Sequence, residues 1–384
     1  MDPTNQPGDS LELPQFPPIQ VIENTQKIAD LYHSGKKIWI RSDFERIEHE
    51  LMHWRTQPSF NIRRIDGSVV SIRNPMLGVS DPIWKPFVEF QNYWYMVTMQ
   101  SSDVFFRRIL PYSFPCYSYM IAWKNQAFNN FTANEQPPLD AQFKEIQQVW
   151  ERSSTCTWLK HKLAFQKGFR KINKVVCFAL GDMAPMSCYD SRYTAHGSET
   201  ANKKFSMNQH AVALTMGAAF RSTTAANVEI LAQDPDYSPT SKALLKNLGI
   251  SVVGEHGAGG FSEIVDDSVV FFCYPTFPMS EIIADIARPA MIIGNGRTHV
   301  LNNTTYGART HADTAAFEVF QRRQPYPSNA ETPRTREMWK DYTEHDFKIM
   351  DPDRLTLMGL ESLKIYIRND VTGDADKGEG EGKN

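Results

Sequence analysis

The chain has 384 residues, with 41 basic and 44 acidic side chains and a formal net charge of −3. That balance argues against a generally cationic nucleic-acid binder, because bulk phosphate binding needs clustered positive charge. Hydrophobic residues at 41% are too many for a disordered chain, and aromatics at 12% supply either a core or the walls of an apolar pocket. The opening run MDPTNQPGDSLELPQFPP has neither a basic nor an apolar stretch, so no secretory signal is expected. No window approaches the roughly 18 apolar residues of a membrane span. The cysteines (Cys116, Cys156, Cys177, Cys188, Cys273) are odd in number and form no C-x-x-C pair. These features predict a reduced cytoplasmic or nuclear protein with no disulfide framework and no metal.

Residues 1–19 are Pro-rich and polar and read as a disordered lead-in. Helical spacing over 25–33 stops near Gly35, and KIWIR at 37–41 alternates like a short strand. Ser42 and Asp43 offer N-caps for a helix running to about Trp54. Asp66-Gly67, between alternating residues of 61–72, is a hairpin signal. Residues 82–125 are dense in aromatics and resist assignment, and 141–151 and 155–166 read as two helices.

The pattern changes at Lys174. VVCFAL is a continuous apolar run, as in a parallel strand buried on both faces. A loop over 182–205 follows, placed to act as a lid, and then a helix over 207–220 capped by Ser206. Next come strands at 228–232, 250–253, 268–273 and 290–293, with helices at 241–248 and 279–287. This alternation predicts βαβ units, right-handed crossovers and an α/β, Rossmann-like, mostly parallel sheet with helices on both faces. Residues 301–337 are turn-rich, 353–367 read as a helix or helix–strand, and 371–384 as a disordered tail. The organisation is one elaborated domain: an N-terminal α/β extension over 20–170, a core over 171–300 and a C-terminal arm over 301–370.

Open α/β sheets bind ligands beyond the carboxyl ends of their strands. That rule selects Gly181 and Asp182 after the first strand, and Asp234 and Asp236 after the second. It selects Tyr274, Pro275 and Phe277 after the fourth, and Asn295, Arg297 and His299 after the fifth.

Three motifs compete with simpler readings. His49-Glu50-Leu51-Met52-His53 matches H-E-x-x-H, which places two histidines on one helix face with a glutamate base. No third ligand follows and Glu48 and Arg55 are charged, so the motif reads as an amphipathic helix. Ala179-Leu180-Gly181-Asp182 has one glycine where a dinucleotide fingerprint has three. Gly254-Glu255-His256-Gly257-Ala258-Gly259-Gly260 offers backbone N–H groups to an anion, yet reads as a flexible turn. The absence of G-x-S-x-G and of G-x-x-x-x-G-K-[ST] removes the α/β-hydrolases and P-loop enzymes.

The segment 174–296 resembles the sensitivity-to-red-light-reduced-like (SRR-like) domain. VVCFALGDMA is similar to the family's strand and Gly-Leu-Gly turn, with Ala179 at the first glycine. MNQHAVALTM is similar to its Gln-led helix, through Gln209. ILAQDPDYSPTSKALLKNLGISVV carries its Asp-Pro element at Asp234 and Pro235. SVVFFCYPTFP and MIIGNG match at Pro275, Gly294 and Asn295. The family's Pro-His-Cys is Pro275-Thr276-Phe277 here, so a haem or metal role resting on that His and Cys does not carry over. The N-terminal hairpin is similar to fungal members.

The resemblance implies a Rossmann-like protein enclosing a small apolar or aromatic metabolite, as a regulator or as a cofactor-independent catalyst. A pericyclase of fungal secondary metabolism, such as a hetero-Diels–Alderase, is one alternative. An S-adenosylmethionine-dependent methyltransferase is another, with Gly181, Asp182 and Asp234 holding the cofactor. For the catalyst, Arg297, His299, Tyr274 and Asn295 are the candidate donors, and Phe277, Pro275 and Gln209 the substrate contacts. The expected partner is a small molecule, with no general nucleic-acid binding and no membrane span.

Overall fold

The computed structural model describes residues 19–98, 117–126, 138–164, 171–184, 199–223, 227–295, 328–350, 353, 356–357 and 359–371. Arg297, His299, Cys116, Cys188, the lead-in, the tail, and most of the 182–205 and 301–337 segments lie outside them. Among the described residues no helix is long and apolar enough to cross a membrane.

Five parallel strands form the centre: β5 (Lys174–Phe178), β6 (Glu229–Gln233), β7 (Ile250–Val252), β8 (Ser268–Phe272) and β9 (Met291–Asn295). All five side chains of SVVFF in β8 are buried, as the continuous apolar run predicts. The order across the sheet is β7-β6-β5-β8-β9, followed by two antiparallel strands, β11 (Leu363–Arg368) and β10 (Tyr342–Asp346). Counting the parallel strands in chain order gives 3-2-1-4-5, the doubly wound arrangement, so the topological switch point lies between β5 and β8.

One face of the sheet carries α4 (Leu139–Arg152), α5 (Ser154–Ala164), α6 (Glu199–Thr223) and α7 (Pro239–Asn247). Trp150, Cys177, Met216, Phe271 and Ile365 belong to that core. The other face carries the N-terminal elements α1 (Ile19–His33), α2 (Arg41–Met52), the hairpin β1 (Ser59–Arg63) and β2 (Val69–Arg73), and the pair β3 (Trp84–Phe90) and β4 (Tyr119–Asn125). With them pack α3 (Tyr93–Thr98), α8 (Gly259–Ser262), α9 (Met279–Ile286) and α10 (Pro333–Trp339). Their core includes Trp39, Phe44, Val176, Phe178, Val270 and Tyr366. Val176 and Cys177 thus face opposite cores, as successive strand residues must.

Several expectations need correction. Residues 37–41 are not a strand. The N–H groups of Ile38 and Trp39 both donate to Asp285 Oδ2, at 2.7 and 3.1 Å. Consecutive N–H groups of a strand point opposite ways and cannot share one oxygen. Arg334 closes this clasp, donating to Asp285 Oδ1 at 2.9 Å and to the carbonyl of Tyr32 at 2.6 Å. Helix α2 has no side-chain cap; Asp43 is buried and pairs with Arg63 and Arg46 instead. Helix α6 begins at Glu199, so Ser206 lies inside it and the connection after β5 is shorter than 182–205. Turns, not a helix, precede β11 at residues 359–362. Strand β10 was not foreseen, because YTEHD is polar and mostly exposed, as an edge strand allows.

Candidate functional site

The β5 side of the switch point ends in a tightly bonded turn. Ala179 follows β5 with φ 53° and Gly181 has φ 75°. The Gly181 N–H donates to Asp234 Oδ2 at 3.0 Å, and the Asp236 N–H donates to Asp234 Oδ1 at 3.0 Å. Asp182 accepts the N–H and hydroxyl of Ser238 at 3.1 and 3.2 Å. Burial, with Asp236 close by, pushes the Asp234 carboxyl up to about 7 against the two N–H bonds that favour its charge. Burial also raises Asp182. Lys124, on β4, pairs with Asp236.

Beneath this turn lies a group that strand-end reasoning missed. Ser206 Oγ donates to the Gly181 carbonyl at 2.7 Å. One turn later, His210 is fully buried, with Nδ1 2.8 Å from the Ser206 carbonyl and Nε2 2.8 Å from the Tyr237 hydroxyl. A carbonyl only accepts, so Nδ1 carries the proton and Tyr237 donates to Nε2. Burial lowers His210 to about 4 and keeps it neutral. The i, i+4 spacing of Ser206 and His210 on one helix was the available signal.

On the other side, Tyr274 follows β8 with φ 46° and is 55% exposed. Its N–H donates to Asn295 Oδ1, which orients the amide and turns Nδ2 away. Asn295 Nδ2 is buried with no acceptor among the described residues. Pro275 is buried and its carbonyl accepts from Ser328 at 3.2 Å. Phe277 is half-buried and meets Phe90, Phe178 and Phe261 at ring-centroid distances of 5.9, 6.5 and 5.6 Å. Phe178 and Phe261 stack at 4.8 Å. These rings fill the space over the strand ends with one another and present Phe277 as the edge of an aromatic floor.

The strand-end residues Gly181, Asp182 and Asp234 therefore meet in one network, and Tyr274, Asn295 and Phe277 line its neighbour across the switch point. Gln209 stands apart: its amide donates to the Gly359 carbonyl at 3.3 Å, tying α6 to the chain before β11. An open surface groove of about 400 Å³ lies along β7, lined by Lys242, Lys246 and Ile250, and none of the strand-end residues borders it.

Among the described residues the turn offers a dinucleotide no phosphate cradle. Its pyrophosphate needs free N–H groups of a helix N-terminus at the glycine turn. Gly181 faces Ser206, the eighth residue of α6 and roughly 10 Å inside the helix, where N–H groups are already bonded. Both oxygens of Asp234, the residue expected at a ribose, already hold N–H groups of this chain.

The glycine-rich turn 254–260 does cradle an anion, but the anion is the chain's own. Glu48 accepts from the N–H groups of His256, Ala258 and Gly259 at 2.8, 2.9 and 3.0 Å. Gln233 accepts from Gly260 at 2.6 Å and donates to the Gly257 carbonyl at 2.8 Å. This turn is a pinned junction between the N-terminal layer and the sheet. The H-E-x-x-H glutamate is committed as well, since Glu50 accepts the Asn61 N–H at 2.7 Å. Among the described residues no three His, Cys, Asp or Glu side chains are placed to share a metal.

Residues 139–350, more than half of the chain, match the family model of the SRR1 domain. The chain belongs to the SRR1 domain family. No curated protein matches it. The SRR1 match starts at α4, so the five parallel strands, the antiparallel strand β10 and the helices of one face fall within it, while α1 to β4 precede it and β11 follows it. The geometry also explains the glycines that the resemblance pointed to. Ala179 holds the left-handed backbone that favours glycine. At Gly294 an added Cβ would run into the Phe272 ring.

Proposed function

We infer that this SRR1-domain protein binds a small apolar or aromatic molecule over the switch point between β5 and β8. One observation carries the reading. Ala179 and Tyr274, which have left-handed backbones without being glycine, lie one and two residues past the ends of the two strands that flank that point. Such conformations cost about 1 kcal/mol or more each and concentrate at ligand sites. The exposed Tyr274 ring and the edge of Phe277 supply apolar surface, and the Asn295 amide supplies a donor to a carbonyl or hydroxyl of the ligand. Arg297 and His299 follow Asn295 within four residues of sequence and are the proposed further donors. The same set serves a sensor, or a cofactor-independent catalyst that orients its substrate and polarises one carbonyl. Gly181 and Asp182 form the opposite rim.

Mass spectrometry of molecules that copurify with the native chain tests this. An aromatic ligand retained by the wild type and lost in Tyr274→Ala and Asn295→Ala is the expected result. Equal retention in both variants, with both folded, removes the site.

A further inference from the structure

We propose that His49, Met52 and His53 form a surface binding site for copper(I) at the C-terminal end of α2. The motif that suggests a zinc hydrolase in the sequence lacks the hydrolase's free base, because Glu50 is bonded to Asn61 and paired with Arg46. Its two histidines remain exposed, with ring centroids 4.6 Å apart. Two imidazoles one helical turn apart lie on one face and reach a common ion.

Two further observations select the occupant. His53 Nδ1 lies 2.8 Å from the His49 carbonyl oxygen, so the neutral ring carries its proton on Nδ1. The lone pair is then on Nε2, free to bind a metal. A ring N–H held by a backbone carbonyl is the usual outer support of a metal-binding histidine. In sequence Met52 falls between the two, three residues from His49 and adjacent to His53, and it is 62% exposed, the largest value among the exposed large apolar side chains of the described residues. An unbranched thioether left in water, one helical turn from His49 and next to His53 in sequence, is within reach of the ion that the two imidazoles would share.

The donor set decides the metal. Imidazole suits zinc, nickel and copper alike, whereas thioether sulfur favours copper(I), and two nitrogens with one sulfur satisfy its low coordination number. The C-terminal end of a helix favours a cation. The neighbouring cation Arg55 is drawn over the Trp54 ring at 4.8 Å. The site lies on the N-terminal layer and is separate from the strand-end crevice, so its fate does not depend on the ligand proposed above.

The full chain, with accessible thiols alkylated so that cysteines do not compete, is titrated with copper(I) against a colorimetric chelator. The copper edge is read by X-ray absorption. One equivalent held by two nitrogens and one sulfur is expected. His49→Ala and His53→Ala should each weaken binding at least ~10-fold. Met52→Leu should remove the sulfur from the spectrum and weaken copper(I) while leaving zinc binding by the two histidines unchanged. Unchanged copper(I) affinity in His53→Ala overturns the site. A spectrum without sulfur in the wild type, or a Met52→Leu variant that binds copper(I) as the wild type does, overturns the copper assignment. All three side chains are exposed, and circular dichroism of each variant confirms the fold.

Discussion

Glu48 and Gly259, separated by 211 residues in the sequence, meet at 3.0 Å through a carboxylate oxygen and a backbone N–H. The same carboxylate takes the N–H groups of His256 and Ala258, so one side chain of α2 satisfies three donors of a turn in the sheet domain. It locks the N-terminal layer onto the sheet.

Glu48→Ala should therefore be costly. Buried donors left without an acceptor cost roughly 1–3 kcal/mol each, so a loss of about 3 kcal/mol or more is expected in urea unfolding. Glu48→Gln keeps one acceptor oxygen and should lose less. An unchanged midpoint in Glu48→Ala would show that the junction is held elsewhere.

Ala179 gives the opposite sign. Its left-handed backbone is disfavoured for any residue with a Cβ, while glycine carries an entropic cost in the unfolded chain. The difference leaves Ala179→Gly more stable by about 0.5–1 kcal/mol. Gly294→Ala should destabilise, because its Cβ collides with the Phe272 ring in the next strand. Thermal melting of both variants checks the pair, and a lower melting temperature for Ala179→Gly removes the strain argument.

Glu281 sets an alkaline limit. It is 3% exposed, and burial beside Asp285 pushes its carboxyl up to about 8, against the Tyr93 N–H bonds at 3.1 and 3.2 Å and the nearby Arg334. A raised carboxyl contributes stability that is fully present below its ordinary value of 4.5 and is lost as pH climbs towards about 8. Glu281→Gln removes that loss. Its melting temperature relative to wild type should rise between pH 5.5 and pH 8.5 (roughly the window set by the shift). A gap independent of pH would refute the assignment.

His210 works on the acid side. Its folded value of about 4 lies below the ordinary 6.5, so its contribution is present above 6.5 and is lost as pH falls towards 4. His210→Gln sacrifices bonds to Ser206 and Tyr237 and should be less stable than wild type at neutral pH. That deficit should narrow on acidification, as denaturant titrations at several pH values will show. A constant deficit would mean that His210 does not resist protonation.

Much of the sheet was legible because its strands are uniformly apolar. VVCF, SVVFF and MIIGN need no partner to be recognised, since a strand buried on both faces has no polar side to show. The same runs place Gly181, Asp182, Asp234, Tyr274 and Asn295 at or just past the carboxyl ends of their strands, where they stand in the fold. Local pattern failed where a distant group overruled it. KIWIR alternates like a strand, but Asp285 captures two consecutive N–H groups and bends it. YTEHD is too polar to announce a strand, yet the ladder of β11 supplies the hydrogen bonds that its side chains do not suggest.

The sequence by itself determined the fold class, the order of its parallel strands along the chain and the glycines of its turns, because these depend on hydrophobic runs and backbone freedom that a few adjacent residues carry. Only the tertiary structure decided which polar groups are satisfied within the chain. Glu48, Asp285, Gln233 and His210 are spent on contacts with residues 4 to 247 positions away, whereas Tyr274 and Asn295 stand at the strand ends with an exposed ring and a donor that has no acceptor among the described residues. Whether a buried polar side chain is structure or site depends on what fills its hydrogen-bonding capacity, and in a folded chain that partner is rarely a neighbour in sequence.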